Sequence, residues 1–362
     1  MNKNRIEKVI QNMKNKNIDQ LIVTSPTSIY YLLDLTIEPG ERLMALYINK
    51  EGTIKFFANE LFALDSNIGV ELVLHKDGED PVNQIASICK DNCIFGIDKT
   101  WPAHFLISLM NKKPNLKFIN SSIVIDEVRM IKDSKELDLL REASLINDKV
   151  IEELINSIHP EKTEKDLAES IADLYRKHNT YEFSFYPIAA YGPNAASPHH
   201  DSDGTKLKSG DCIILDIGGR TNGYCSDMTR TVFYGEPDEE SKKIYNTVLK
   251  SNLAGIAAVK PGVKLCDIDK ASRDVIEKAG YGKYFNHRTG HNIGIEDHEY
   301  PSVGPTDEEI AKPGMVFSIE PGIYVPGKCG VRIEDLVIVT EDGCEVLNNY
   351  PKELKIVTEP QI

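Results

Sequence analysis

The chain has 362 residues, which suits roughly two domains and a core that needs no covalent staples. A formal net charge of −14 argues against nucleic acid or an anionic membrane as partner. The 7 cysteines are scattered without CxxC spacing, which excludes a disulfide framework and fits a reducing cytoplasm. The opening stretch, MNKNRIEKVIQNMKNKN, is charged and lacks the apolar run of a signal peptide, and no apolar run is long enough to span a bilayer.

In chain order, Ile6, Val9, Ile10 and Met13 lie at helical spacing and predict a helix over 4–16. Short strands are predicted at 21–23, 44–48, 54–57, 70–75, 93–97 and 117–119, with helices at 81–89 and 101–110. This alternation predicts a small α/β domain over 1–127, followed by a larger domain over 128–362. The first domain offers little chemistry. His75 and His104 stand alone and read as surface or hydrogen-bonded structural residues, and Trp101 reads as packing.

In the second domain, Ser134 is the expected N-cap of a helix over 135–158, which His159-Pro160 ends. Thr163 caps a second helix over 164–178. The plan then recurs. Asp238 or a neighbour starts a helix to about residue 259, Lys260-Pro261 breaks it, and another helix follows over 267–279. Each helix pair leads to histidines, PHH at 198–200 and HRTGH at 287–291, and then to a strand ending in an acid. These strands are SGDCIILDIG (209–218) and PGMVFSIEPG (313–322), and aligning them places Asp216 on Glu320. A further strand follows in each half, carrying Asp227 in one and Glu334 in the other. The repetition predicts two related halves whose acids converge in one cleft.

Residues 213–233 read as a β-hairpin whose arms present Asp216 and Asp227, the latter sharing a face with Cys225 and Thr229. Paired carboxylates beside apolar strands repel and are costly to desolvate, so a cation must lie between them. Arg230 is near enough to be that cation, and a divalent metal is the other answer. Once Glu320 and Glu334 join, the four carboxylates exceed what one side chain can hold, whereas two divalent ions would balance them. His291, between Gly290 and Gly294, is the candidate nitrogen ligand. In the run VRIEDLVIV (331–339), period two puts Arg332 and Glu334 on one face and Asp335 on the other. Arg332 is then placed to orient a carboxylate of the site or of a substrate.

Taken in order, DIGGRTNGYCSDMTRT, HRTGHNIGIEDHE, SIEPGIY and GVRIED resemble the metallopeptidases that include Xaa-Pro dipeptidase (prolidase), Xaa-Pro aminopeptidase and methionine aminopeptidase. The resemblance covers about residues 130–362, and the preceding domain is similar to the creatinase-type N-terminal domain. It implies an α/β (α+β) chain with a pseudo-symmetric pita-bread catalytic domain. It implies two divalent ions, manganese in first place with cobalt or zinc as substitutes, held by Asp216, Asp227, His291, Glu320 and Glu334. Glu320 would also move the proton of the attacking water. His199 would serve proton transfer, with His200 beside it as the other choice, and His298 would steady the tetrahedral intermediate. His287, Arg332 and Tyr324 would border the substrate's proline ring. The implied activity is hydrolysis of the bond before proline in small peptides, by a cytoplasmic homodimer. Arg288 and Asn292 depart from the family pattern but remove no ligand. A creatinase-like amidinohydrolase or a non-catalytic peptide-binding protein on the same fold would lack part of this ligand set.

Overall fold

The computed structural model describes residues 1–358. The chain divides into two compact units, Met1–Arg129 and Met130–Ile362. No helix among the described residues is long and apolar enough to cross a membrane.

The first unit contains α1 (Lys3–Asn15), β1 (Gln20–Val23), α2 (Pro26–Leu33), β2 (Ala45–Asn49), β3 (Ile54–Asn59), β4 (Glu71–His75), α3 (Pro81–Ile88), β5 (Ile94–Ile97), α4 (Ala103–Lys112), β6 (Lys117–Asn120) and α5 (Ile123–Arg129). Its six strands form one mixed sheet in the order β4-β3-β2-β1-β5-β6. Helices α2 and α5 are additional to those expected from the sequence. The first of these is set by a local signal, Ser25 accepting from Ser28 N with Pro26 at the first helical turn. Trp101 packs into the core of this unit, as expected. His75 corrects the surface or hydrogen-bonded reading: it is buried, its Nδ1 has no partner among the described residues, and burial lowers its pKa.

In the second unit, α6 (Ser134–Asn156) and α7 (Glu164–Lys177) lead to β7 (Glu182–Phe183), β8 (Ile188–Tyr191), β9 (Cys212–Ile217), β10 (Gly219–Thr221), β11 (Tyr224–Cys225) and β12 (Met228–Tyr234). The second helix pair, α8 (Glu239–Ala258) and α9 (Leu265–Lys278), leads to β13 (Gly290–Asn292), β14 (Glu299–Val303), β15 (Val316–Ile319), β16 (Gly322–Val325), β17 (Cys329–Arg332), β18 (Asp335–Val339), β19 (Cys344–Val346) and β20 (Ile356–Val357). Thr163 and Asp238 cap α7 and α8 through side-chain hydrogen bonds. The cap of α6 is Asp133 rather than Ser134, because Asp133 and Glu136 form a reciprocal capping box. The last helix begins at Leu265, two residues before the expected Asp267.

The repetition in sequence is a repetition in structure. One sheet runs β20-β12-β9-β8 and another β14-β13-β15-β18-β19. At the centre of each lies an antiparallel pair, β9 with β12 and β15 with β18. The first helix of each half sends a buried asparagine to a carbonyl near the acid of that half. Asn147 Nδ2 donates to Ile217 O at 2.9 Å, and Asn252 Nδ2 donates to Ile319 O at 2.9 Å. Apolar cores under both sheets, around Leu215 and Phe317, hold these strands rigid.

Candidate metal centre

The expected hairpin is broken, and the break places the acid. Asn222 and Gly223, both at positive φ, turn β10 into β11, as an Asn-Gly pair does in a tight hairpin. Pairing then lapses at Ser226-Asp227 and resumes with β12, whose Thr229 lies opposite Asp216. Asp227 therefore sits at an interruption, and the continuous alternation expected with Cys225 and Thr229 does not hold. The run 331–339 breaks in the same way between β17 and β18, leaving Glu334 in the gap. An acid at a strand interruption leaves the ladder and turns inward without a backbone partner being lost from a continuous strand.

A cavity of about 260 Å³ is bordered by Asp216, Asp227, His291, Glu320 and Glu334 together. His291 Nε2 lies 3.5 Å from Asp227 Oδ2 and 3.4 Å from Glu320 Oε1. His291 Nδ1 lies 3.2 Å from Asn292 O. A carbonyl only accepts, so Nδ1 carries the proton and Nε2 turns its lone pair to the acids. This placement needs β13 close against β15: a Cβ on Gly290 would lie 1.8 Å from Ser318 O.

Arg230 is not the cation between the acids. Its Nη2 pairs with Asp335 at 2.8 Å, and Lys352 holds the other oxygen of Asp335 at 2.7 Å. Arg332 does enter the site, with Nη2 2.5 Å from Asp216 Oδ2. Its Nε donates to Thr229 Oγ1 at 2.9 Å, and Thr229 Oγ1 in turn donates to Glu334 Oε2 at 2.7 Å. Its Nη1 donates to the Tyr324 hydroxyl at 3.0 Å. His287 Nδ1 is committed to Arg288 O at 2.7 Å, so His287 Nε2 accepts from the Tyr324 hydroxyl at 3.0 Å. One wall of the cavity is thus a hydrogen-bonded relay, Arg332 to Tyr324 to His287.

Arg332 leaves much of the negative charge unanswered. Asp216 Oδ1, Asp227 Oδ1 and Glu334 Oε1 are buried and have no partner among the described residues. Burial, with Glu334 and other acids close by, pushes the Asp227 carboxyl well above its usual range. Burial and Glu320 do the same to Glu334, and Glu320 itself is pushed up to about 8, chiefly by burial. Orphaned carboxylate oxygens facing an imidazole lone pair form the donor set of a hard or borderline cation. Ligand atoms of Asp227, His291 and Glu334 lie within 4.8 Å of one another, so these residues fit a metal ion.

His199 and His298 also border the cavity, whereas His200 Nε2 points to Glu164 Oε2 at 2.7 Å. Asp216, Asp227, His291, Glu320, Glu334, His199, His298, His287 and Arg332 thus border one cavity, with Tyr324 directly behind it through Arg332 and His287, whereas His200 and Arg230 are turned to other acids. Phe185, Tyr186 and Asp297 also line the cavity and are not among the residues expected from the sequence. Burial, then Asp216, raises the Asp297 carboxyl to about 7. Its place directly before His298 was the available signal, whereas the FSFY stretch carried none.

Residues 138–341 match the model of metallopeptidase family M24, and residues 5–131 match that of the creatinase/prolidase N-terminal domain. Peptidases of Staphylococcus aureus strains bovine RF122 / ET3-1 and MRSA252, both described as uncharacterized, are 37% identical over 352 residues, covering 96% of this chain and 99% of theirs. A dipeptidase structure from Pyrococcus horikoshii OT3 superposes with a TM-score of 0.92 at 41% identity, over 98% of this chain and 100% of that one. A recombinant prolidase from Thermococcus sibiricus gives 0.92 at 36%, over 99% and 100% of the two chains. An Xaa-Pro dipeptidase from Bacillus anthracis gives 0.89 at 32%, over 98% and 99%. The chain belongs to metallopeptidase family M24, with a creatinase-type N-terminal domain and a pita-bread catalytic domain.

Proposed function

We propose that this M24 chain hydrolyses the bond between an N-terminal residue and proline, using two divalent metal ions held by Asp216, Asp227, His291, Glu320 and Glu334. The observation that carries the metal reading is the set of buried, unpartnered oxygens on Asp216, Asp227 and Glu334. Support for proline comes from the relatives described as prolidase and Xaa-Pro dipeptidase. Manganese is the proposed native ion, with cobalt or zinc accepted by the same donors.

When bound, the ions supply Lewis acidity and make hydroxide available near neutral pH. Glu320, steadied by Ser318 Oγ at 3.3 Å, takes the proton of the attacking water. His298, which lines the cavity, would stabilise the oxygen that gains charge as the carbonyl carbon becomes tetrahedral. The C–N bond then breaks, and His199 gives the proline nitrogen its proton. That nitrogen belongs to a tertiary amide with no N–H, so its subsite needs no acceptor for one. The wall formed by Arg332, Tyr324 and His287 meets this condition, because the His287 acceptor nitrogen is already engaged by Tyr324. The scattered spacing of the seven cysteines supports a cytoplasmic enzyme. A homodimer is the proposed assembly, to be checked by sedimentation.

The test is hydrolysis of an Xaa-Pro dipeptide and an Xaa-Pro tripeptide with manganese, cobalt and zinc in separate assays. Cleavage before proline is expected with at least one ion. Resistance of both peptides to every metal-loaded form would overturn the reading.

A further inference from the structure

Outside the ring of acids, one buried carboxylate takes no part in the chemistry above yet is engaged on every side. Glu164 opens α7 and is 0% exposed. Its Oε1 accepts from Tyr191 N at 2.7 Å and from Asn194 Nδ2 at 3.1 Å. Its Oε2 accepts from Asp203 N at 3.1 Å and lies 2.7 Å from His200 Nε2. A carboxylate only accepts, so the imidazole nitrogen facing it is the protonated one. The helix N-terminus adds favourable potential for the negative charge.

These donors come from the end of β8, the short 3-10 turn after it, and the loop that follows. His199 lies within that span, on the cavity side, directly before the anchored His200. The loop is held elsewhere too. Ser202 Oγ accepts from Ala189 N at 3.0 Å and donates to Ala189 O at 2.9 Å, while Arg332 Nη1 reaches Pro198 O at 3.5 Å. Glu164 grips the span both before His199, at Tyr191 and Asn194, and after it, at His200 and Asp203.

Ligand atoms of Glu164, His200 and Asp203 lie within 4.8 Å of one another, which raises a second metal site as a rival reading. Donors already occupy both Glu164 oxygens, and Asp203 Oδ1 accepts from Thr205 N at 2.7 Å. The trio is an anchor in which the charge needed by a cation is already used.

We infer that Glu164, acting through His200 and the 192–203 loop, is the positioning residue that sets where His199 meets the leaving nitrogen. The inference rests on the role proposed for His199. Placement errors near one ångström cost up to about a hundredfold in rate, so a buried anchor of this kind has kinetic weight.

The experiment is a double-mutant cycle on the manganese-loaded enzyme with an Xaa-Pro dipeptide. Glu164→Gln keeps the size but puts an amide N–H₂ against N–H donors. It is expected to lower kcat by about 10-fold to 100-fold, with KM and metal content within about twofold. In a His199→Ala background, the same change is expected to add less than about twofold. If Glu164→Gln multiplies independently of His199→Ala, or lowers only the melting temperature with kcat intact, the inference is overturned. If His199→Ala alone leaves kcat unchanged, the role of His199 falls and the inference falls with it. Should Glu164→Gln fail to fold, His200→Ala and His200→Gln read the same link from its half-buried end. His200→Ala should lower kcat in the same His199-dependent way, and His200→Gln, which can still donate to Glu164, should restore most of it. Equal loss in both His200 variants counts against the anchor.

Discussion

Arg332 Nη2 lies 2.5 Å from Asp216 Oδ2, and this contact leaves Asp216 Oδ1 buried without a partner. The arginine thus answers one oxygen of one acid and leaves the other for a cation. Against burial, which works to lower it, Tyr324 and the acids Asp216, Glu320 and Glu334 hold the guanidinium pKa well above its usual range. It stays charged throughout the working pH range.

Replacing Arg332 should therefore do more than remove a substrate contact. Arg332→Ala removes a donor from the Tyr324 hydroxyl, from Thr229 Oγ1 and from Asp216 at once. Loss of one partner of a buried pair costs on the order of 3–5 kcal/mol. The expected result is a fall of about 100-fold or more in kcat/KM with a lower melting temperature. Arg332→Lys cannot reproduce the three-way fork and should recover less than half of the loss in free energy. Steady-state kinetics and thermal melts check both.

Metal removal should make stability depend on pH with a defined sign. Glu320 has an ordinary pKa of 4.5 and is raised to about 8 by burial in the metal-free fold. Between those values the folded chain holds a proton that the unfolded chain has released, so stability falls as pH rises through that window. Bound cations replace that proton, and their affinity grows as the ligands deprotonate. The melting-temperature gap between metal-loaded and metal-free protein should therefore widen from about pH 5 to about pH 8. A constant gap would contradict it.

Glu334→Gln should separate metal binding from fold stability. It removes one buried acid from beside Asp227 and Glu320, so the metal-free variant should be more stable than metal-free wild type near pH 8, by on the order of 1–3 kcal/mol. The same variant should bind fewer ions by elemental analysis and lose most peptidase activity. Lower stability in the absence of metal would mean that the carboxylate is compensated by the protein alone.

His298→Ala should lower kcat by about 100-fold to 1,000-fold with little change in KM, as loss of one oxyanion donor does. Metal content should be unaltered, since His298 is not among the proposed ligands.

Gly290→Ala tests the backbone that carries His291. Its Cβ would stand 1.8 Å from Ser318 O, backbone that β15 holds in place. The strands must part, which should cost on the order of 1–3 kcal/mol of stability and weaken metal affinity together. Calorimetry and metal titration read the two effects.

Much of this was legible in the chain because it rests on short-range signals. The Thr163 and Asp238 caps, the paired helix breaks before Pro160 and Pro261, and the matched strands ending in Asp216 and Glu320 depend on residues a few positions apart. Where two local signals compete, the sequence alone leaves the choice open. Asp133 and Ser134 are both capping residues, and only the reach of Glu136 back to Asp133 N decides between them.

The sequence by itself determined the inventory of charge: which acids and histidines exist, at what spacing, on which repeated strands. The tertiary structure alone decided how that charge is matched. It broke the strands at Asp227 and Glu334, gave Arg230 to Asp335, gave one oxygen of Asp216 to Arg332, and turned His200 to Glu164 while His199 stayed at the cavity. The reason is physical. Caps and turns are settled by bonds that a few neighbouring residues make among themselves, but the partner of a buried charge is whichever group the packing of distant segments brings within about 3 Å, and that distance is not encoded in any stretch read alone.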